Sequence, residues 1–154
     1  MTLLIDADWL IYSSCCACEQ DIQWDTNLHT LHADERDVHE MVDGRVAHYQ
    51  TIAEDDKDVV MCFTEYPTFR HTIYPEYKAN RKHKRKPLGL RKIIEGVRER
   101  YTSESYPGLE GDDVMSILAT SKKYNNSIMV SVDKDMRSVP CTLPVSYTHL
   151  RAHE

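Results

Sequence analysis

The sequence predicts an α/β fold: a mainly parallel sheet with helices on both faces. Short, wholly apolar segments alternate along the chain with segments whose apolar residues recur at helical spacing. This alternation is typical of parallel sheets. The apolar segments also run into acidic residues, and such sheets bind their ligands beyond the carboxyl ends of the strands. The length of 154 residues suits one domain of this class.

The first half of the chain predicts one buried strand and two helices. Residues 3–5 (Leu-Leu-Ile) are the strand, and a helix follows to about Cys18. Residues 20–36 are polar and indicate no particular element. From Val38 onward an amphipathic helix is predicted, weakened by Gly44. Its apolar positions include Met41, Val42, Tyr49 and Ile52.

The second half repeats the alternation. Residues 59–63 (Val-Val-Met-Cys-Phe) are the second strand, followed by a basic stretch punctuated by Pro75 and Pro87. Two helices and a third strand at residues 128–130 (Ile-Met-Val) come next. The apolar positions that mark the two helices are Leu90, Ile93, Ile94, Val97 and Tyr101, and then, after Pro107-Gly108, Val114, Ile117 and Leu118.

Composition places the chain among globular proteins outside the membrane, with 41% hydrophobic and 29% charged residues. No apolar run approaches the roughly 20 residues of a membrane helix. The first residues lack the features of a signal peptide, so we expect a cytoplasmic protein. The cysteines are odd in number and fit reduced thiols. Without a second Cys pair, Cys15, Cys16 and Cys18 fit a helix better than a zinc site.

Four acidic clusters follow the predicted strands or open a predicted helix. They are Asp6 with Asp8, then Glu65, then Glu110 with Asp112 and Asp113, and finally Asp133 with Asp135. Because the carboxyl ends of parallel strands meet at one edge, we expect these clusters to converge. Carboxylates suit Mg²⁺, and two Mg²⁺ ions can support hydrolysis of a phosphodiester. Local alternatives stay open: helix caps for Asp6, Asp112 and Asp113, and a turn for Asp133 and Asp135.

A basic segment stands out in this acidic chain. Between positions 78 and 100, ten Lys or Arg residues accompany two glutamates, a local charge of +8 in a chain of net charge −6. Such a stripe can hold a phosphate backbone beside a carboxylate site, and a solvated helical surface is the alternative. On a helical turn Lys78 and Arg81 would project to one side and could hold the scissile phosphate. Tyr77 beside them could stack on a terminal base.

Several motifs are distinctive. They are Phe-Arg-His at 69–71, Tyr-Lys-Ala-Asn-Arg-Lys at 77–82, Leu-Glu-Gly-Asp-Asp-Val-Met at 109–115 and Val-Asp-Lys-Asp at 132–135, with Asp-Trp-Leu at 8–10 and Lys-Pro at 86–87. Together they resemble the 5′-nuclease (flap endonuclease) superfamily, most closely the 5′–3′ exonucleases of short-tailed phages. The resemblance covers roughly residues 3–140, and residues 13–55 contribute little. It implies a Rossmann-like (PIN-like) sheet and metal-dependent cleavage of DNA from 5′ ends.

The resemblance also implies roles for individual residues. The first metal ion would be held by Asp6, Glu110, Asp112 and Asp113, and the second by Asp133 and Asp135. Both ions would be Mg²⁺, with Mn²⁺ as an alternative. Many relatives have an Asp directly after the second strand, where this chain has Phe63-Thr64-Glu65, so Glu65 becomes a further candidate ligand.

Lys78 and Arg81 would be the catalytic cations on the scissile phosphate. Residues 78–92 would form a basic arch or clamp over the single strand. The expected DNA contacts are Tyr77, Lys78, Arg81, Lys82, Lys84, Arg85 and Lys86. The resemblance further implies a monomer that acts on 5′ ends of duplex or flap DNA, without a nucleotide cofactor. Its setting would be the cytoplasm of a phage-infected host, in phage replication or in degradation of host DNA.

The last residues do not continue the family pattern. Residues 145–154 (Val-Ser-Tyr-Thr-His-Leu-Arg-Ala-His-Glu) resemble a translated sequencing adapter. We therefore expect residues 1–143 to be the N-terminal part of a 5′-nuclease catalytic domain, truncated before its helix–hairpin–helix region, and residues 144–154 to be a non-native tail. The family would continue with further second-metal aspartates, so we expect this fragment to be poorly active and marginally stable.

Three other functions stay open. The first is a PIN-like ribonuclease that acts on RNA or RNA–DNA hybrids. The second is a non-catalytic nucleic-acid-binding fragment in which the acids serve only as caps. The third is a small-molecule phosphatase on the same sheet, which the long basic stripe and the lack of a Gly-rich phosphate loop disfavour.

Overall fold

The computed structural model describes residues 2–53, 58–81, 83–124, 126–140 and 142–145, the last of these through the backbone alone. The elements in chain order are β1 (Thr2–Asp6), α1 (Ala7–Cys18), β2 (Gln20–Asp25), β3 (Leu28–His32), α2 (Glu35–Ile52), β4 (Asp58–Cys62), α3 (Phe69–Ile73), α4 (Leu90–Arg100), β5 (Thr102–Glu104), α5 (Gly111–Thr120), β6 (Ser127–Val130) and β7 (Thr142–Val145). The three predicted strands and the four predicted helices are all confirmed.

Five of the strands form one sheet in the order β5-β4-β1-β6-β7, and every neighbouring pair is parallel. The chain first extends the sheet from β1 to β4 and β5. It then crosses to β6, on the other side of β1. The order therefore reverses between β1 and β6. In open α/β sheets, the crevice beyond the carboxyl ends of the strands at such a reversal is the usual ligand site.

Helices cover both faces of this sheet, as the sequence predicts. Successive strand residues point to opposite faces, so Leu3 and Ile5 pack against α1, α2 and α4, whereas Leu4 packs against α5. The first core includes Leu10, Val42, Tyr49, Ile93 and Val97, and the second includes Val114, Met115, Leu118 and Met129. The predicted α/β fold with a mainly parallel sheet is confirmed.

The sequence did not predict the antiparallel hairpin of β2 and β3. All of β3 is exposed, and so is all of β2 except Ile22, so neither strand has the apolar alternation that marks a half-buried strand. Strands β5 and β7 are also additional. Strand β7 crosses the predicted domain boundary at residue 143, which stays a prediction, and residues 146–154 of the predicted tail lie outside the described residues. Within the described ranges, no helix is both long and apolar enough for a membrane span.

Candidate active site

Acidic side chains converge beyond the carboxyl ends of β1 and β6. Asp6 is the last residue of β1, Asp112 lies in the first turn of α5, and Asp133 follows β6. Burial, and then the negative charges of Asp112 and Asp8, raises the pKa of Asp6 to about 7. Burial, followed by the charges of Asp133 and Glu110, raises the pKa of Asp112 to about 6. These residues form the acidic edge, which lies at the reversal of strand order.

Thr64, two residues beyond β4, forms hydrogen bonds with the starts of α1 and α5 and holds both helices at this edge of the sheet. Its backbone N–H donates to Asp8 Oδ2 at 2.9 Å, and its Oγ1 accepts from the N–H of Gly111 at 3.0 Å. A Cβ atom on Gly111 would lie 3.2 Å from the carbonyl oxygen of Cys62. The missing side chain therefore lets α5 begin close against the end of β4, which brings Asp112 to the acidic edge.

Several of these acids also cap helices, which is the local role that the sequence left open. Asp6 Oδ1 accepts from the N–H of Trp9 at 3.1 Å and caps α1. Glu110 and Asp113 form a capping box at the start of α5. Capping does not account for Asp112, because its Oδ1 is buried without a hydrogen-bond partner among the described residues. A buried carboxylate oxygen left unpaired is costly unless something else binds it.

The donor set of this edge fits a divalent cation. Asp6 and Asp112 are partly buried, the charge of Asp112 raises the pKa of Asp6, and both residues present hard oxygen ligands. As the side chains stand, however, no three His, Cys, Asp or Glu residues in the described parts of the chain are arranged to hold a metal ion. One reason is that the carboxylates of Glu110 and Asp113 form ion pairs with lysine and arginine side chains of the protein.

Two of those cations lie close to the acidic edge. Lys78 Nζ donates to both carboxylate oxygens of Glu110, at 2.9 and 3.0 Å, and Tyr77 Oη donates to Glu110 Oε2 at 3.3 Å. Arg70 donates a fork of two hydrogen bonds to the carboxylate of Asp113, from Nη1 to Oδ2 at 2.5 Å and from Nη2 to Oδ1 at 2.8 Å. This fork lowers the pKa of Asp113. Glu110, at 7% exposure, therefore has a positive partner in direct contact, whereas Asp6 and Asp112 form no ion pair with the described residues.

The family of the chain follows from its sequence as a whole. A family model described as the N-terminal resolvase-like domain of 5′-3′ exonucleases matches residues 1–147. The chain belongs to this 5′-3′ exonuclease family. The resemblance that the motifs indicate is thereby confirmed.

Phage proteins are among the relatives of this exonuclease-family chain. It is 30% identical over 146 residues to the exodeoxyribonuclease of Enterobacteria phage T3, covering 90% of this chain and 48% of that protein. The exonuclease of Escherichia phage T7 is also 30% identical, with 90% and 49% covered. The flap endonuclease Xni of Shewanella sp. (strain W3-18-1) is 38% identical over 71 residues, 44% of this chain and 27% of that protein. The chain spans about half the length of the two phage relatives.

Solved structures share the fold of this exonuclease-family domain. The D15 protein of phage T5, co-crystallised with metal ions, superposes with a TM-score of 0.63 at 14% identity, over 96% of this chain and 55% of that one. The D15 flap endonuclease (D155K) of phage T5, in a pseudo-enzyme-product complex with DNA and metal ions, superposes with a TM-score of 0.60 at 11% identity, over 96% and 55%. At these identities, the similarity shows the fold.

Of the two predicted catalytic cations, Lys78 directly precedes a single 3₁₀ turn, Ala79–Arg81, and Arg81 is the last residue of that turn. The N–H of Arg81 donates to the carbonyl of Lys78 at 2.9 Å. Lys78 itself has a φ of 54°, in the left-handed region, so the common projection expected from a regular helical turn does not apply. The Lys78 side chain reaches Glu110, while the side chain of Arg81 is exposed and makes no hydrogen bond or ion pair within the described ranges.

Two predicted metal ligands are exposed, and the backbone N–H of one of them, Asp135, donates to Oδ1 of Asp133 in the acidic edge at 2.9 Å. Glu65 and Asp135 are exposed, and their side chains make no hydrogen bond or ion pair with the described residues. Among the predicted DNA contacts, Lys84, Arg85 and Lys86 are exposed, and Lys82 lies outside the described residues. Arg85 is paired with Glu19 at 2.6 Å.

Two residues of the site were missed as candidates. Asp8 was noted as an acid beyond the first strand, and it accepts the hydrogen bond that fixes Thr64. Arg70 lies in the Phe-Arg-His motif, which carried the family resemblance but indicated no partner for it. The partner, Asp113, is 43 residues away. Local sequence patterns do not predict a contact between residues so far apart. The Phe-Arg-His motif was therefore the only feature of the sequence that drew attention to Arg70.

The raised pKa values predict how stability varies with pH. Because Asp6 and Asp112 bind protons more tightly in the folded state than in the unfolded chain, the stability that protonation supplies is lost as pH rises from about 4 to about 7. In EDTA, we expect a lower free energy of unfolding at pH 8 than at pH 5.5, by a few kcal/mol. Urea titrations at the two pH values measure this. Asp6→Asn should flatten the dependence, and an unchanged slope in that variant would contradict the assignment.

Proposed function

We propose that this chain is the N-terminal part of a metal-dependent 5′–3′ exonuclease or flap endonuclease that hydrolyses phosphodiester bonds of DNA from 5′ ends. The observation that carries the proposal is the partly buried pair Asp6 and Asp112, which forms no ion pair with the described residues and lies at the strand-order reversal of an exonuclease-family sheet. Two relatives are named as phage exonucleases. A related T5 structure holds DNA and metal ions.

We propose two Mg²⁺ ions as cofactors, with Mn²⁺ as an alternative. The first would be held by Asp6, Glu110, Asp112 and Asp113, and the second by Asp133 and Asp135, while Glu65 is a further candidate ligand that is assigned to neither ion. Bound Mg²⁺ would activate a water and neutralise charge on the phosphate. Lys78 Nζ now donates to both carboxylate oxygens of Glu110. Glu110 would therefore have to release Lys78 before it could bind a metal ion.

That exchange would give Lys78 its function. Once released from Glu110, its ammonium lies at the acidic edge and can hold the scissile phosphate as a point charge. The guanidinium of Arg81 makes no hydrogen bond or ion pair within the described ranges. Burial raises the pKa of Tyr66, and the positive charges of Lys78 and Arg81 both oppose that rise, so both cations lie near Tyr66. The two cations are the catalytic residues of the proposal. DNA would further contact Tyr77, Lys82, Lys84, Arg85 and Lys86, and the enzyme would act as a monomer without a nucleotide cofactor.

One observation favours a second candidate, a non-catalytic nucleic-acid-binding fragment. The capping bonds of Asp6 and Glu110 and the Lys78–Glu110 pair are satisfied without any metal. A protein of this kind would bind DNA in EDTA as well as in Mg²⁺, and it would leave the strand intact.

Cleavage of end-labelled flap DNA separates these candidates. We expect Mg²⁺ to release short 5′-labelled products and EDTA to prevent their release, while the same substrate labelled at the 3′ end reports the direction of digestion. RNA and hybrid versions of the substrate test the ribonuclease alternative. Cleavage that proceeds equally in EDTA contradicts the proposal, and binding without cleavage in Mg²⁺ supports the second candidate.

A further inference from the structure

An open cavity of about 690 Å³ lies next to the acidic edge. One wall is the segment that follows β4, with Phe63, Thr64 and Tyr66, and the other wall is the start and one face of α4. Asp8 also lines the cavity, so it opens toward the acidic edge. The volume falls within the range of small-molecule sites and suits one nucleotide.

Tyr66 presents a free aromatic face at this cavity. The residue is 70% exposed, and its ring meets the ring of His71 at a centroid distance of 5.8 Å in an edge-on geometry. Tyr77, the base-stacking residue expected from the sequence, is instead engaged, because its hydroxyl bonds Glu110 and Lys78 Nζ lies 4.9 Å from its ring centroid. Exposed aromatic rings beside a phosphate site serve as stacking platforms for bases. Tyr66 fits that role better than Tyr77 does.

Arg98 provides a cation on the α4 side of the cavity. Its guanidinium carbon lies 4.0 Å from the centroid of the buried Phe63 ring, which holds it by a cation–π contact. It donates no hydrogen bond to any residue in the described ranges, so its donors remain for a ligand. Two neighbouring cations of this wall are already paired, Arg91 with Glu95 and Lys92 with Glu35.

We propose that this cavity binds one nucleotide of a single DNA strand, with the base stacked on Tyr66 and a phosphate held by Arg98. The proposal rests on the proposed nuclease function and adds to it a subsite for the nucleotide next to the scissile phosphate. Asp8 connects the two sites, since it lines the cavity and lies close enough to Asp6 to raise its pKa.

Binding measured without turnover tests this subsite. A labelled single-stranded oligonucleotide is titrated with the full chain in EDTA, and affinity is read by fluorescence anisotropy. We expect Tyr66→Ala and Arg98→Gln each to weaken binding about tenfold. Tyr66→Phe keeps the ring, and Arg36→Gln removes an exposed cation of α2 that does not line the cavity, so both should bind within about twofold of the parent chain.

A second readout locates the base. With 2-aminopurine placed at successive positions from the 5′ end, we expect one position to be quenched by the parent chain and by Tyr66→Phe, and to regain its fluorescence with Tyr66→Ala. Equal affinity of all four variants, equal losses in Arg98→Gln and Arg36→Gln, or no binding by the parent chain would each overturn the proposal. Binding as expected, together with no cleavage in Mg²⁺, would instead refute the nuclease function and leave the subsite in place.

Discussion

Asp112→Asn is expected to abolish Mg²⁺-dependent cleavage while making the metal-free protein more stable at pH 8. Asparagine keeps the size of the side chain and removes the charge that burial and neighbouring carboxylates disfavour. Loss of a metal-binding carboxylate should lower the cleavage rate by at least about a hundredfold. The two effects have opposite signs, and a purely structural role for Asp112 does not produce that combination.

Cleavage of flap DNA and urea unfolding in EDTA measure the two effects. Asp37→Asn is the matched control, because Asp37 lies in the first turn of α2 and is exposed. It should leave both quantities close to the parent values. An Asp112→Asn protein that cleaves at the parent rate, or that is less stable at pH 8, would contradict the assignment of Asp112.

Arg70→Ala is expected to lower the free energy of unfolding by about 2 kcal/mol and to reduce cleavage as well. The substitution removes the fork on Asp113 and leaves that carboxylate, with a side chain 25% exposed, without its partner. Since Asp113 also accepts from the backbone N–H of Glu110 at 3.1 Å, its displacement should disturb the start of α5 and the position of Glu110. Arg70 is thus a positioning residue.

A double-mutant cycle separates this account from loss of bulk. Asp113→Asn combined with Arg70→Ala leaves no unpaired charge, so the double variant should be destabilised by less than the sum of the two single changes. Arg70→Lys keeps the charge without the fork and should fall between the parent and Arg70→Ala. Strict additivity of the two single changes in urea unfolding would show that the pair is not coupled.

The fold was predictable because its central strands are buried on both faces. Strands β1, β4 and β6 are therefore continuous apolar runs, and their parallel arrangement follows from the helices between them. The hairpin of β2 and β3 gave no such signal. Its residues face solvent on both sides, so hydrophobic patterning, the main sequence signal for strands, is absent there.

The acidic edge was predictable in outline and not in detail. Asp6 and Asp133 end or follow neighbouring parallel strands, and Asp112 lies at the start of α5, the helix that leads from β5 to β6, so topology brings the three to one edge. Lys78 and Glu110 are 32 residues apart in the sequence, so their pairing depends on tertiary packing. The exposure of Glu65 depends on packing in the same way, and a pattern of residue types does not carry that information.

Calorimetric titration of Mg²⁺ into the chain at pH 8, with the parent and Asp112→Asn compared, tests whether the acidic edge is a divalent metal site. The parent should bind Mg²⁺ saturably, and in a second titration at pH 6, where a carboxyl with a pKa of about 7 is still largely protonated, binding should also release protons. The variant should lose this binding. No binding by the parent, or equal binding by both proteins, would show that the carboxylates of this edge do not hold a metal.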